Sequence, residues 1–202
     1  MKDLATTLFT VSSAATPPQC GGLLVAEPFL RETCFNRAVI SIIDYLPRDG
    51  ATGSVLNIPT GYTLPELLTG LDSDINIPVY CGGPLGQDRL YFLHTLGDRI
   101  IPNARQYAHG LYVGGEFKYI IDYIRKGYPA EGLLRFFIGY SSWTQGQLEH
   151  EISTRTWAQI TGPDDLTTIF TGDGDSYWHR AVRHLGPAYR SWQLLPQNPS
   201  LN

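Results

Sequence analysis

Phe136-Phe137-Ile138-Gly139-Tyr140-Ser141-Ser142-Trp143-Thr144-Gln145-Gly146-Gln147-Leu148-Glu149 is the densest signal in the chain. An apolar run enters a glycine, two aromatics bracket a pair of serines, and an amphipathic pattern follows at once. The spacing predicts a strand over 133–138, a tight aromatic turn, and a helix that Ser142 and Gln145 start as a capping box. Leu148 and Ile152 form the stripe that docks this helix on the core. The serines, His150, Glu149 and Glu151 resemble an active-site inventory, but their spacing does not. Gly139-Tyr140-Ser141-Ser142-Trp143 lacks the second glycine of a nucleophile elbow. Glu149-His150-Glu151 are adjacent on a helix and point in different directions, so they cannot chelate one ion together.

Working outward, Leu23–Ala26 reads as a strand closed by Pro28, and Ala38–Tyr45 as a strand covered on both faces. Pro47-Arg48-Asp49-Gly50 turns the chain into a third strand, Thr52–Ile58, an antiparallel hairpin. Thr63 and Glu66 form a capping box before Leu64, Leu67, Leu68 and Leu71. Ile77–Cys81 and Leu90–Leu96 are strands around Gly82-Gly83-Pro84-Leu85-Gly86. Phe117, Ile120, Ile121 and Ile124 share a helical face that Gly127 ends. Trp157–Ile160 is another strand, and Trp178, Ala181, Val182 and Leu185 face inward on a last helix stopped by Gly186-Pro187. With strands outnumbering helices and no regular βαβ alternation, the fold class is α+β. The expected organisation is an N-terminal arm and linker over 1–20, one domain over 21–195, and a tail over 196–202.

The 202 residues carry a formal net charge of −4. That balance disfavours direct nucleic-acid binding, which draws its affinity from clustered Lys and Arg. No run reaches the roughly 18 apolar residues of a membrane span. Residues 4–11 are apolar but broken by threonines, and read as an adaptable arm and not as a leader. Cys20, Cys34 and Cys81 have no metal or disulfide spacing and suit a reducing cytoplasm. Cys81 is the candidate reactive thiol. The 82–86 segment lacks both the Walker and the dinucleotide spacing, so it reads as a turn needing positive φ. The five histidines include no H-E-x-x-H pair. Asp173-Gly174-Asp175 places negative charge before the last helix. No catalytic, cofactor or metal set emerges.

Seven segments in order nevertheless carry a resemblance. They are Gly22–Pro28, Phe35-Asn36-Arg37-Ala38-Val39, Gly53-Ser54-Val55-Leu56-Asn57, Val79–Pro84, Leu93-His94, Tyr112-Val113-Gly114-Gly115, and Gly139–Trp143 leading to Gly146–Glu151. Together they resemble the YqgE/AlgH family of bacterial proteins from about Gly21 to Gly186. Ser141-Ser142 replaces the family's usual Ala-Gly, and Ser54 stands where glycine is common. The resemblance implies a cytoplasmic α+β protein whose coiled, mostly antiparallel mixed sheet is bifurcated, contains a small barrel-like part, and is packed by about four helices. It brings no catalytic residues; some members carry a transcriptional-regulator label.

Two functions are therefore expected. The first is a non-enzymatic regulatory or interaction protein with a protein partner or small ligand. The alternative is a small-molecule or nucleotide-binding domain, or an enzyme, whose pocket gathers the 82–84 and 139–143 turns. The candidate surface for either comprises Asn57, Gly82, Gly83, Pro84, Gly139, Tyr140, Trp143, Gln147 and Glu149.

Overall fold

The structure is a computed structural model that describes residues 16–72, 74–162 and 166–196. The expected arm before Thr16, the Asp164-Asp165 link and the tail beyond Pro196 lie outside these residues. Ten strands form one α+β sheet: β1 (Leu23–Ala26), β2 (Val39–Leu46), β3 (Gly50–Val55), β4 (Pro59–Thr63), β5 (Pro78–Cys81), β6 (Leu85–His94), β7 (Arg105–Ala108), β8 (Leu111–Val113), β9 (Leu134–Trp143) and β10 (Trp157–Ile160). The main path runs β10-β1-β2-β3-β9-β6-β8-β7, with β4 and β5 branching from β9. Four α-helices are described: α1 (Leu64–Leu67), α2 (Phe117–Arg125), α3 (Gln147–Ser153) and α4 (Gly174–His184).

The branch lies within β9. One of its edges pairs with β6 along Leu134–Ile138 and again at Tyr140. Its other edge pairs first with β5, in parallel, at Phe136–Ile138. Beyond Gly139 that edge passes to β3, antiparallel, at Ser141–Trp143. Gly139 has φ +74° and Gly83 has φ +150°, regions where a Cβ is strained. Space is lacking as well. A Cβ on Gly82 would lie 2.2 Å from the Gly139 carbonyl oxygen, and one on Gly83 would lie 2.3 Å from the Tyr140 carbonyl carbon. The Gly82 N–H donates to the Ile138 carbonyl at 2.8 Å, while the Gly82 carbonyl accepts from the Val55 N–H at 2.9 Å. These glycines let one strand hold three neighbours.

Side-chain alternation distributes β9 among three cores. Phe137 joins Val25, Val39 and Trp178 beneath α4. Trp143 joins Leu24, Ile40 and Leu148 against α3. Phe136 joins Val79, Ile120 and Ile124 against α2. Leu23 and Val25 enter one core while Leu24 and Ala26 enter another, so β1 is covered on both faces. The barrel-like part is the curl that brings β7 back to β2. No ladder closes it. Instead, Arg105 donates to both Asp44 oxygens at 2.8 and 2.9 Å, and the Ser41 and Tyr107 hydroxyls meet at 3.2 Å.

The β2–β3 hairpin and helices α2 and α4 match their sequence patterns, and Gly127 ends α2 at φ +73°. Two local expectations fail. Ser142 neither turns the chain nor starts a helix, because β9 continues through Trp143; α3 begins at Gln147 after Gly146, and Gln147 Oε1 accepts from the Thr144 N–H and hydroxyl in the turn before it. Helix α1 is one turn, since Leu68 is already extended at φ −126°. The last helix stops before Gly186, at φ +89°, as its sequence predicts, and a 3-10 segment, Pro187–Leu194, follows. Strands β4, β7 and β8 are additional; each is too short for a clear alternation.

The crossing is sensitive to a single methyl group. Gly83→Ala should lose about 3 kcal/mol or more, or fail to fold. Gly162→Ala, where a Cβ has open space, should stay within about 0.5 kcal/mol of the parent. Urea unfolding of the two variants checks the contrast.

Candidate functional site

The predicted surface residues fall into three groups. Gly82, Gly83 and Gly139 form the backbone crossing, and the 82–83 turn approaches β9 so closely that there is no room for a Cβ between them. Tyr140 emerges beside it with its ring edge-on to Tyr91 at 5.9 Å, and Pro84 and Leu85 are exposed at the same end. Ser141 Oγ donates to the Gly82 carbonyl at 3.2 Å, so its hydroxyl strengthens the crossing. Ser54 Oγ, close by, is buried and has no hydrogen-bond partner.

Asn57 is buried and points away from the crossing. Its Oδ1 accepts from the Val39 N–H at 2.8 Å, and its Nδ2 donates to the Arg37 and Gly174 carbonyls at 2.9 and 3.0 Å. The Gly174 N–H returns a bond to the Asn57 carbonyl at 2.7 Å. Asn57 thus ties the start of β2 to the start of α4, and its amide is fully used.

Trp143, Gln147 and Glu149 lie beyond the turn, around α3. Glu151 Oε2 accepts from the indole N–H groups of both Trp143 and Trp157 at 2.7 Å. Its Oε1 accepts from Gln147 Nε2 at 2.9 Å. One carboxylate therefore satisfies two largely buried indoles whose rings meet edge-to-face at 6.1 Å. Glu149 Oε1 accepts from the Tyr45 hydroxyl at 2.7 Å. That hydrogen bond, reinforced by burial, raises the Tyr45 phenol to about 12.

Two buried arginines escaped the sequence reading. Arg37 is 3% exposed, pairs with Asp175 and lies over the Trp178 ring at 4.7 Å. Arg135, on β9, is also 3% exposed. Its guanidinium donates to the carbonyls of Leu56, Phe170 and Gly172 and lies 4.0 Å from the Tyr80 ring centre. No carboxylate of the described residues is within ion-pair distance of it. Burial pulls its pKa below the ordinary value, though neighbouring Tyr80 and Glu131 favour the charge. Only its place in an apolar strand, Leu133-Leu134-Arg135-Phe136-Phe137, marks it as inward-facing.

Arg135 stands at the end of a cleft of about 330 Å³ lined by Ile75, Ile77, Tyr80, Tyr128 and Ala130 among others. The walls come from the segment before β5 and the loop after α2. The recess mixes apolar walls with Asn76, Glu131 and Arg135, and its lining includes neither the 82–84 turn nor residues 139–143 of β9.

His94 is buried between the Phe92 and Tyr112 rings, with centroids at 5.7 and 5.6 Å. Its Nε2 is 3.1 Å from the Gly114 carbonyl, and its Nδ1 has no partner. Burial therefore holds its pKa below 6.5. No group of three or more His, Cys, Asp or Glu able to hold a metal ion is present among the described residues.

Comparison with known proteins supplies a lineage. A family model described as AlgH-like matches residues 23–190. A UPF0301 protein of Parabacteroides distasonis is 39% identical over 197 residues, covering 96% of this chain and 97% of that protein. A UPF0301 protein of Bacteroides fragilis is 36% identical over 200 residues, covering 99% and 100%. The solution structure of the AlgH protein from Pseudomonas aeruginosa aligns with TM-score 0.64 and 26% identity, covering 85% of this chain and 92% of that one. A crystal structure of a Corynebacterium diphtheriae protein aligns with TM-score 0.67 at 21% identity, covering 88% and 93%, a likeness of fold.

Two measurements probe these interior polar groups. Glu151→Ala strands two indole N–H groups and should cost about 2–4 kcal/mol in denaturant unfolding. His94 has a folded pKa below its unfolded value, so the unfolded state binds the extra proton. Stability should be full above pH 6.5 and fall as pH drops through the lowered value. His94→Gln should flatten that slope in melting curves between pH 7 and 5.

Proposed function

The chain belongs to the AlgH-like family, and from that premise we propose that it is a non-enzymatic cytoplasmic regulatory protein acting through a protein partner. The partner presents a short apolar segment to the cleft beside Arg135. The observation that carries this reading is how the polar side chains are spent. Asn57, Ser141, Gln147, Glu151 and Arg135 each hold backbone or side chains of the chain itself together. The cleft, by contrast, offers Ile75, Ile77 and Tyr128 to an incoming group. Tyr128 is 54% exposed at its rim, an aromatic anchor of the sort enriched at protein contacts.

Regulation by contact with protein fits the charge of −4 better than direct binding to DNA does. The exposed Pro84 and Leu85, with the half-buried Tyr140 beside them at the glycine crossing, extend the candidate contact surface. Cytoplasmic placement draws support from three free thiols. No helix of the described residues is long and apolar enough to cross a membrane.

A second reading rests on Arg135 alone. Its positive charge in the lining, beside the acidic Glu131, suits a small ligand with an apolar body and an anionic end that reaches the guanidinium.

Ala130→Trp fills the cleft and separates these readings. Affinity capture from bacterial lysate, quantified by mass spectrometry, should lose its specific protein about fivefold or more in the variant, at an unchanged melting temperature. Equal capture by both chains would remove the cleft from the partner reading. Stabilisation of the parent, but not the variant, by a small carboxylate or phosphate in a thermal-shift screen would favour the second.

A further inference from the structure

We propose that Cys34 and Cys81 form a redox-modification site, a dithiol that hydrogen peroxide converts into a reversible disulfide beside the glycine crossing. The two sulfur atoms lie 3.7 Å apart although 47 positions separate them in the chain. Cys34 belongs to the turn at 33–37 and Cys81 ends β5. Each is partly exposed, so a small oxidant can reach the pair. A disulfide needs a separation of about 2.05 Å, so closure asks for an approach of roughly 1.7 Å. Residues 33–37 are turn and not strand, and can supply that movement without breaking a ladder.

The chemistry divides between the two sulfurs. The Cys81 S–H points at Cys34 Sγ. Burial, and then the Cys34 thiol, push the Cys81 thiol up to about 11, so it keeps its proton. The same bridge results whichever sulfur attacks first, and one order starts at Cys34. Its thiolate attacks one peroxide oxygen, the O–O bond breaks, and the departing hydroxide takes up the proton that Cys34 lost, giving water. The Cys34 sulfenic acid is attacked by the Cys81 sulfur. The S–O bond breaks, and the hydroxyl leaves as water with the Cys81 proton. Two thiols have lost two electrons, and both peroxide oxygens have become water. A dithiol reductant reverses the bond by thiol–disulfide exchange.

The bridge has a defined structural effect. It fastens the 33–37 turn, and with it the buried Arg37 paired to Asp175, onto the residue preceding Gly82. Such transient bonds are the form in which disulfides serve cytoplasmic proteins.

Peroxide treatment of the folded chain, followed by alkylation in denaturant and peptide mapping, decides the matter. The expected product is about 2 Da lighter. Its alkylatable thiols fall from three to one, and one cross-linked peptide joins Cys34 to Cys81. Dithiothreitol restores all three. Cys34→Ser and Cys81→Ser should each abolish the bridge, while Cys20→Ser should leave it intact. Retention of three thiols, a bridge through Cys20, or sulfinic acids in place of the 34–81 peptide would overturn the proposal. The parent chain alone gives this answer, whatever the variants do to folding.

Discussion

The fold depends on one close approach of backbone to backbone, where Gly82 and Gly83 cross Gly139. β9 must give up β5 and take β3 along the same edge within three residues, without loosening β6 on the other. A strand can change partner so abruptly only if the departing chain turns away in contact with it. Side chains there would force the strands apart, and the three cores that β9 serves would separate with them. Burial of Phe136, Phe137 and Trp143 supplies the driving force, and the glycines supply the geometry that lets all three be buried at once.

The polar interior follows from this economy of space. The segments that join strands and helices carry buried carbonyls that no ladder reaches, and buried carbonyls require donors. Arg135 serves Leu56, Phe170 and Gly172, and Asn57 serves Arg37 and Gly174. Each long polar side chain replaces several missing backbone bonds. The residues that look chemically capable are in the main mortar, and what they leave open is the recess between the segment before β5 and the loop after α2.

Much of this was legible in the sequence, and the exceptions are instructive. The α+β class, the β2–β3 hairpin and helices α2 and α4 follow from apolar periodicity, which depends on local residues. The positive φ of Gly83 and Gly86 in the 82–86 segment follows from glycine chemistry. The family is legible from seven ordered motifs. The helix start falls at Gly146 and not at Ser142: two serines in a strand mimic a cap, and only pairing with β3, a long-range event, keeps Ser142 extended. Arg37 and Arg135 were missed for a related reason. A charged side chain reads as solvated until the fold supplies carbonyls and aromatic faces around it. Nor could spacing reveal that Cys34 meets Cys81, or that Asn57 turns away from the glycines beside which it was expected.

The seam between β2 and β7 has a further consequence. Backbone ladders hold every other join of the curl, but here the hold is an exposed guanidinium–carboxylate pair at one end and two buried hydroxyls deeper in. Salt screens the exposed pair and barely touches the buried contact. The curl is therefore hinged like a clasp: ionic strength frees its rim while its base stays shut. Breathing along β7 becomes a property set by the solution around the protein as much as by its sequence.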